Sequence, residues 1–256
     1  MYICQMRCAR DCGIIQPTSM ETLTHDAHGF GITLTDAQQE AFETFYRELC
    51  AWNARVNLTA ITERDAVIVK HFLDSLSVGL ALQQIAPTAR LIDIGSGAGF
   101  PGLPLKIAFP DLRVTLLEAT GKKVQFLSHV IAQLNLRDAT AIHARAEDLA
   151  RFPAHREQYD VAVARAVSSL ATLLEYALPF VRVGGVFVAQ KGAEVEEEIR
   201  SATRALEMLS GNVREIVPVR LPGLEPRHLV VVEKTAATPA RYPRRAGAPE
   251  RKPLTN

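Results

Sequence analysis

The chain has 256 residues, of which 48% are hydrophobic, and its formal net charge is +1. This length supports one full hydrophobic core with a small additional domain. The near-zero charge excludes a global attraction to nucleic acid, so any binding to a polyanion depends on local patches. Because no apolar run approaches the roughly 18 residues of a membrane span, we expect a cytoplasmic protein with no membrane contact.

Residues 1–19 contain three of the four cysteines, Cys4, Cys8 and Cys12. Closely spaced cysteines can hold an iron–sulfur cluster, but this spacing misses the Cys-x3-Cys-x2-Cys pattern of radical enzymes by one residue. The alternative is a disordered extension, or a segment upstream of a natural start at Met20. We favour this alternative and predict no metal site.

Residues 20–88 have the periodicity of a helical module. Thr35 and Gln38 form a capping box, and apolar residues follow at spacings of three and four. A second helix is predicted to begin near Thr62. His71 and Asp74 lie on its polar flank. They would order the lid of a cofactor site or touch a target base, or form a buried hydrogen-bonded pair between modules, which we favour.

Strands and helices alternate through residues 89–235. The predicted strands are 90–94, 113–118, 139–143, 160–164, 186–190, 213–219 and 228–233, and the predicted helices are about 101–109, 121–134, 168–180 and 194–209. The connection between the last two strands is too short for a crossover helix, so they must pair antiparallel. This pattern predicts an α/β fold in which five parallel strands are closed by a C-terminal hairpin, as in class I (Rossmann-like) methyltransferases.

The first of these strands runs into a turn with alternating glycines. Residues 91–102 read Leu-Ile-Asp-Ile-Gly-Ser-Gly-Ala-Gly-Phe-Pro-Gly, with the glycines at Gly95, Gly97 and Gly99. Alternating glycines permit positive φ and leave no Cβ between the main chain and a ligand. Open α/β sheets bind ligands at this edge, outside the carboxyl ends of their strands.

The acids around this turn favour one cofactor. Glu118 ends the second strand, nineteen residues after Gly99, where an acid receives ribose hydroxyls. The glycines alone also fit a dinucleotide fingerprint or a purely structural corner. Asp93, however, would repel a pyrophosphate and suits a cofactor that carries an ammonium and a sulfonium. The pattern therefore favours S-adenosylmethionine over NAD.

The loop after the fourth strand indicates the type of methyl acceptor. It reads Ala-Arg-Ala-Val-Ser at residues 164–168, without the acidic or amide residue and Pro-Pro-aromatic sequence of exocyclic-amine methyltransferases. No cysteine follows Cys50, so a cysteine nucleophile for pyrimidine C5 methylation is absent from the sheet. Guanine N7 remains, and transfer to it needs alignment and desolvation more than a general base. We predict positioning roles for Arg165 and Lys191.

Residues 236–256 are rich in proline, arginine and lysine. Proline at this density predicts an extended, flexible segment. Its basic residues favour contact with nucleic acid over a merely solubilising role.

In chain order, the motifs resemble one family over about residues 30–256. They are Trp52-Asn53 with Asn57-Leu-Thr59, His71-Phe-Leu-Asp74-Ser75, Asp93 to Pro104, Leu117 to Lys123, Ala164 to Ser169, Gln190 to Gly192, and Arg227 to Val231. The chain resembles the bacterial 16S rRNA guanine-N7 methyltransferases of the RsmG (GidB) family.

The resemblance implies methyl transfer from S-adenosylmethionine to N7 of a guanine in 16S rRNA, guanine 527 in rRNA numbering. The partner would be 16S rRNA or the small ribosomal subunit, and we expect a monomer. Asn57 and His71 join the positioning candidates. The implied cofactor contacts are Gly95, Phe100, Glu118, Ala119, Thr120, Ala146, Glu147 and Arg165, to which the turn itself adds Asp93 and Gly97. The alternatives are a small-molecule methyltransferase and a nucleotide-binding regulator without catalysis.

Overall fold

The computed structural model describes residues 19–165 and 168–255. The cysteine-rich start at residues 1–18, and with it the prediction of a disordered extension, lies outside the described residues. Within them, no cluster of three or more His, Cys, Asp or Glu side chains could hold a metal ion. None of the helices described there has both the length and the apolar character needed to cross a bilayer.

A seven-stranded sheet forms the centre of the molecule, with strand order β3-β2-β1-β4-β5-β7-β6. The first five strands are parallel, and β7 pairs antiparallel with both β5 and β6. The fold class predicted from the sequence is therefore confirmed. The strands are β1 Arg90–Ile94, β2 Arg113–Glu118, β3 Ala139–His143, β4 Tyr159–Arg165, β5 Val181–Lys191, β6 Gly211–Val219 and β7 Arg227–Lys234.

Helices cover both faces of this sheet. On one face lie α1 Ser19–His28, α2 Asp36–Val56, α3 Arg64–Val67, α4 Asp74–Leu76, α5 Gly79–Leu82, α6 Gly102–Ala108 and α7 Gly121–Gln133. On the other lie α8 Ala146–Leu149, α9 Leu170–Ala177, α10 Val195–Ser201 and α11 Thr203–Leu209. The single helix predicted over 194–209 is thus two helices, which meet at Ala202.

The capping box predicted at Thr35 is present. The Gln38 N–H donates to Thr35 Oγ1 at 3.3 Å, and the Thr35 N–H donates to Gln38 Oε1 at 2.9 Å. The next helix begins at Arg64 instead of near Thr62, because the Glu63 carboxylate accepts the N–H groups of Asp65 and Ala66. A π-helical segment, Ile68–Leu73, interrupts it, and π-turns occur frequently at functional sites.

The helical module shares one hydrophobic core with the sheet. Phe45 on α2 contacts Phe72 of the π-helical segment, Phe100 of the glycine turn and Phe126 on α7, with ring centroids 5.4, 5.3 and 6.4 Å away. Aromatic pairs at these distances add to the burial energy. The boundaries 20–88, 89–235 and 236–256 stay predictions, but the first two regions pack together without a gap between their cores.

The basic C-terminal segment contradicts the prediction of an extended, flexible chain. Residues 236–255 pack against α8 and α9 and include a short helix, α12, Ala248–Arg251. Tyr242 and Leu254 are buried in the core of that face, and Arg244 forms an ion pair with the buried Glu175. The prediction from composition was wrong because two apolar anchors and one buried carboxylate outweigh the effect of the prolines. In addition, Pro249 occupies a position in the first helical turn where proline is tolerated.

Candidate active site

The glycine turn between β1 and α6 has the backbone predicted for it. Gly95, Gly97 and Gly99 have φ values of 71°, 58° and 93°, a conformation that L side chains rarely adopt. At Gly102, which opens α6, a Cβ would lie 2.4 Å from the Leu116 side chain and 2.8 Å from Asp93 Oδ2. The glycines therefore serve both the shape of the turn and the close packing of α6 on the sheet.

Asp93 lies beneath this turn and has no exposed surface. Its Oδ2 accepts the Gly102 N–H at 2.9 Å, and burial raises the pKa of its carboxyl to about 7. Asp93 fixes the first turn of α6 and lines neither of the two cavities described below. Its direct contact with a cofactor stays a prediction.

Glu118 joins the glycine turn to the next loop. Its Oε2 accepts the Gly97 N–H at 3.0 Å and its Oε1 accepts the Thr120 N–H at 2.8 Å. Each carboxylate oxygen can accept a further hydrogen bond, so the group can still receive ribose hydroxyls. The geometry thus keeps Glu118 at the carboxyl end of β2, between two loops predicted to hold the cofactor.

Two cavities meet at the glycine turn, and Gly95 lines both. The smaller, of about 180 Å³, lies against the loops after β2 and β3 and includes Ala119, Ala146, Glu147, Tyr176 and Glu250 in its lining. The larger, of about 310 Å³, lies against the helical module; its lining includes Gly97, Phe100, Thr59, Lys70, His71, Asp74, Arg165 and Arg227. Together they offer an elongated ligand one site on each side of the turn.

Arg165, at the end of β4, lines the larger cavity and contacts several of the other lining residues. Its Nη1 donates to Asp74 Oδ2 and to the Lys70 carbonyl, both at 3.0 Å. Its guanidinium also lies 4.9 Å from the centroid of the Phe100 ring. These contacts fix the plane of the guanidinium and hold its charge at the carboxyl end of β4, while its positioning role stays a prediction.

His71 is brought into the same cluster by the π-helical segment. Its ring stacks on Phe100 at 4.5 Å, its Nε2 lies 2.9 Å from Thr59 Oγ1, and its Nδ1 lies 3.3 Å from Arg165 Nη2. Burial, and next the charge of Arg165, lower the pKa of His71 to about 4. The ring is therefore neutral near pH 7. Its Nδ1 lies 3.1 Å from the Lys70 carbonyl as well, so it donates to that carbonyl in one tautomer and accepts from Arg165 in the other. Within the described residues, His71 and Asp74 are both buried and line the cavity, and each contacts Arg165 instead of the other. A contact of either residue with a cofactor or target base stays a prediction.

Two of the predicted positioning residues lie elsewhere. Lys191 donates to the Ser168 carbonyl at 2.7 Å and pairs with Glu198 at 2.6 Å, so it holds the start of α9 and lines neither cavity. Asn57 is exposed and ends α2 in the left-handed conformation, where its N–H bonds to the Asn53 carbonyl at 3.3 Å. The structure assigns Asn57 a capping role at a helix end.

Lys70, Thr59 and Arg227 line the larger cavity, although sequence reasoning gave none of them a role in the site. Arg227 Nε lies 3.5 Å from Asp74 Oδ1. The position of Arg227 follows from the antiparallel register of β7. This register places the start of β7 beside the end of β5, at the same edge of the sheet as Arg165. The periodicity of the second helix carried no sign of the π-helical segment.

Known proteins are similar to this chain over most of its length. Residues 38–230 match the family described as rRNA small subunit methyltransferase G. A protein of that name from Roseiflexus sp. is 53% identical over 235 residues, which cover 92% of this chain and all of the relative. One from Thermoanaerobacter sp. is 47% identical over 237 residues, covering 92% and 98%.

The chain belongs to this family. It is a methyltransferase whose methyl donor is S-adenosylmethionine. Among solved structures, TrmN from Thermus thermophilus aligns with a TM-score of 0.50 at 19% identity, covering 65% of this chain and 53% of that one, a likeness of fold alone. The two cavities around Gly95, with Glu118 between the loops, fit a donor that has an adenosine end and an amino-acid end.

Proposed function

We propose that the chain transfers the methyl group of S-adenosylmethionine to N7 of a guanine in 16S rRNA. The observation that carries this proposal is the Arg165 cluster: a fixed guanidinium beside Phe100, in a cavity that Lys70 and Arg227 also line. Three cations at one cavity suit a phosphate-bearing acceptor. The acceptor would be reached as naked 16S rRNA or within the small subunit, by a monomer in the cytoplasm.

Among the described residues that line the larger cavity, none is a free general base. His71 is neutral but contacts both Thr59 and Arg165, and Asp74 is committed to Arg165 and lies close to Arg227. Guanine N7 has a lone pair and no proton, so its methylation requires none of these groups to accept one. The bound donor supplies an electrophilic methyl: the N7–C bond forms as the S–C bond breaks, and the sulfonium leaves as a neutral thioether. The protein contributes alignment and exclusion of water.

We propose that the donor is held across the turn by the residues that line or border it. Glu118 receives the ribose, and the smaller cavity receives the adenine. The full set is Gly95, Gly97, Phe100, Glu118, Ala119, Thr120, Ala146, Glu147 and Arg165. Asp93 supports the set from beneath, through Gly102.

Methyl transfer from labelled S-adenosylmethionine to isolated 16S rRNA and to small subunits tests the proposal. We expect label in 16S rRNA at a guanine that is sensitive to borohydride and aniline, as N7-methylguanosine is. Arg165→Ala should abolish transfer. The matched variant Arg165→Lys keeps the charge but loses the planar fork, so it should recover only part of the rate.

Label in a pyrimidine, in an exocyclic amine, or only in small molecules would overturn the proposal. Donor binding without transfer to either RNA substrate would favour the non-catalytic alternative.

A further inference from the structure

The C-terminal strap, residues 238–254, is held to the molecule by a buried ion pair. Glu175 on α9 has no exposed surface, and Arg244 satisfies it. The Arg244 N–H and Nε donate to Glu175 Oε1 at 2.8 and 2.9 Å, and Nη2 donates to Oε2 at 2.6 Å. Bidentate pairs of this kind fix geometry as well as charge. The strap therefore has one defined position on α9.

Main-chain contacts hold the strap on the other side of the ion pair. Arg156 donates to the carbonyls of Tyr242 at 2.9 Å and Thr238 at 2.8 Å, and Arg151 donates to that of Pro243 at 2.5 Å. The Tyr242 ring is 4% exposed. None of these contacts involves the glycine turn, so the strap is positioned independently of it.

From these anchors the strap reaches the smaller of the two cavities. The Gly247 N–H donates to Glu147 Oε1 at 2.7 Å, which orients a carboxylate that is 3% exposed. Glu250, which is itself exposed, lines the cavity together with Ala119, Ala146 and Tyr176. Burial, followed by the charges of Glu147 and Glu250, raises the pKa of Tyr176 to about 12. This end of the cavity is therefore bordered by acceptor carboxylates.

We propose that the strap is the outer wall of the adenine end of the donor site, and that it makes this end select a base with an exocyclic amine. Glu250 supplies a hydrogen-bond acceptor from the strap, and Gly247 is a positioning residue that orients Glu147. An amine donates to these carboxylates, whereas the carbonyl of hypoxanthine would leave an acceptor facing an acceptor. The proposal rests on the proposed placement of the adenine in the smaller cavity, but it does not depend on which nucleotide receives the methyl group.

Calorimetry on the full chain with S-adenosylhomocysteine and its inosine analogue tests this selection. We expect Glu250→Ala to reduce the preference for the adenine ligand about tenfold, the effect of one lost hydrogen bond of roughly 1.4 kcal/mol. Removal of residues 241–256 should weaken binding of the adenine ligand and remove most of the preference. Arg245→Ala changes an exposed residue of the strap outside the cavity lining and should change neither quantity.

The measured quantity is the ratio of the affinities for the adenine ligand and its inosine analogue. A general loss of stability lowers both affinities alike and leaves this ratio unchanged. Because Glu250 is exposed, its substitution keeps the test decisive if the shortened chain does not fold. An unchanged ratio in Glu250→Ala would overturn the selective role of Glu250. Unchanged affinity for the adenine ligand in a folded chain lacking residues 241–256 would overturn the wall itself.

Discussion

Substitution of Gly97 has two separable consequences, one for the backbone conformation and one for the space in the cavity. Its φ is +58°, and the nearest atom to an added Cβ would be the Gly95 carbonyl oxygen at 3.9 Å. A side chain there fits the space but strains the backbone, by about 1–3 kcal/mol. A carboxylate would in addition lie in the larger cavity, close to Glu118, which accepts the Gly97 N–H.

Gly97→Asp should therefore abolish binding of S-adenosylhomocysteine in calorimetry while the chain still folds. Gly97→Ala imposes at least as much backbone strain without the charge, because aspartate tolerates the left-handed region better than alanine, and it should retain measurable binding. Equal binding by Gly97→Asp and the parent would remove the glycine turn from the donor site.

His71 predicts how stability depends on pH. The unfolded chain protonates this imidazole near pH 6.5 and the folded chain only near pH 4, so the free energy of unfolding falls as the pH drops through this window. The loss amounts to at most about 3 kcal/mol, from about 1.36 kcal/mol per pKa unit. His71→Gln should remove this loss, as measured by urea unfolding at pH 7 and pH 4.5.

Asp93 has the opposite effect on the pH dependence of stability, so the test of His71 needs a control for it. Its pKa is about 7 in the folded chain and 3.8 when unperturbed, so protonation relieves a buried charge and raises the free energy of unfolding as the pH falls. The contribution of His71 is therefore the difference between the parent and His71→Gln, not the slope of the parent alone. Identical slopes for the two proteins would contradict a buried, neutral imidazole.

At the scale of elements, the strap should contribute measurably to stability. Arg244→Ala leaves the Glu175 carboxylate buried without its partner, which typically costs about 3–5 kcal/mol. Urea unfolding should show this loss, and the double variant Glu175→Leu with Arg244→Ala should recover much of it. Arg245→Ala is the matched control on the same segment. Equal midpoints for Arg244→Ala and Arg245→Ala would show that the ion pair is dispensable.

The sequence predicted those elements whose signals are local. The strands β1 to β4 follow apolar runs bounded by turns, and the capping box at Thr35 requires only two residues three positions apart. The strap was mispredicted because its order depends on Glu175, which lies some seventy residues earlier and is buried only after α9 packs. The same limit applied to Lys191, which donates to the carbonyl of Ser168, on a different strand–helix connection.

Within the candidate site, the sequence predicted the backbone better than the electrostatics. The positive φ values of the turn and the place of Glu118 follow from residue type and spacing. The sequence did not show that Asp93 contacts α6, because a strand-end carboxylate can face either side of the sheet and its direction depends on packing. The cofactor prediction does not depend on Asp93, since the turn and Glu118 support it independently.

At the scale of the whole molecule, a chain of net charge +1 needs a local surface for RNA. Lys70 and Arg227 line the larger cavity. Lys70 is exposed to solvent and Arg227 is partly exposed. Each phosphate contact that is lost reduces the slope of log K against log salt by about 0.7–0.9.

Replacement of Lys70 and Arg227 by glutamine should weaken binding to 16S rRNA and reduce that slope by about one to two. Filter binding across a salt series measures both effects. Arg113→Gln is the control, because Arg113 is exposed at the start of β2, at the opposite edge of the sheet. An equal change in the control would indicate only a general charge effect.

The aromatic contacts around Phe45 join the helical module to the glycine turn in one packed cluster, so we expect the two to unfold together. A ligand that binds only the folded chain adds RT ln(1 + [L]/Kd) to its stability, about 2.7 kcal/mol at one hundred times Kd. With Phe100 packed between Phe45 and His71, that increment is shared with α2, although α2 itself lines neither cavity. Amide protons deep in α2 would then exchange more slowly when the donor is bound, so that a helix remote from the chemistry reports how fully the enzyme is loaded.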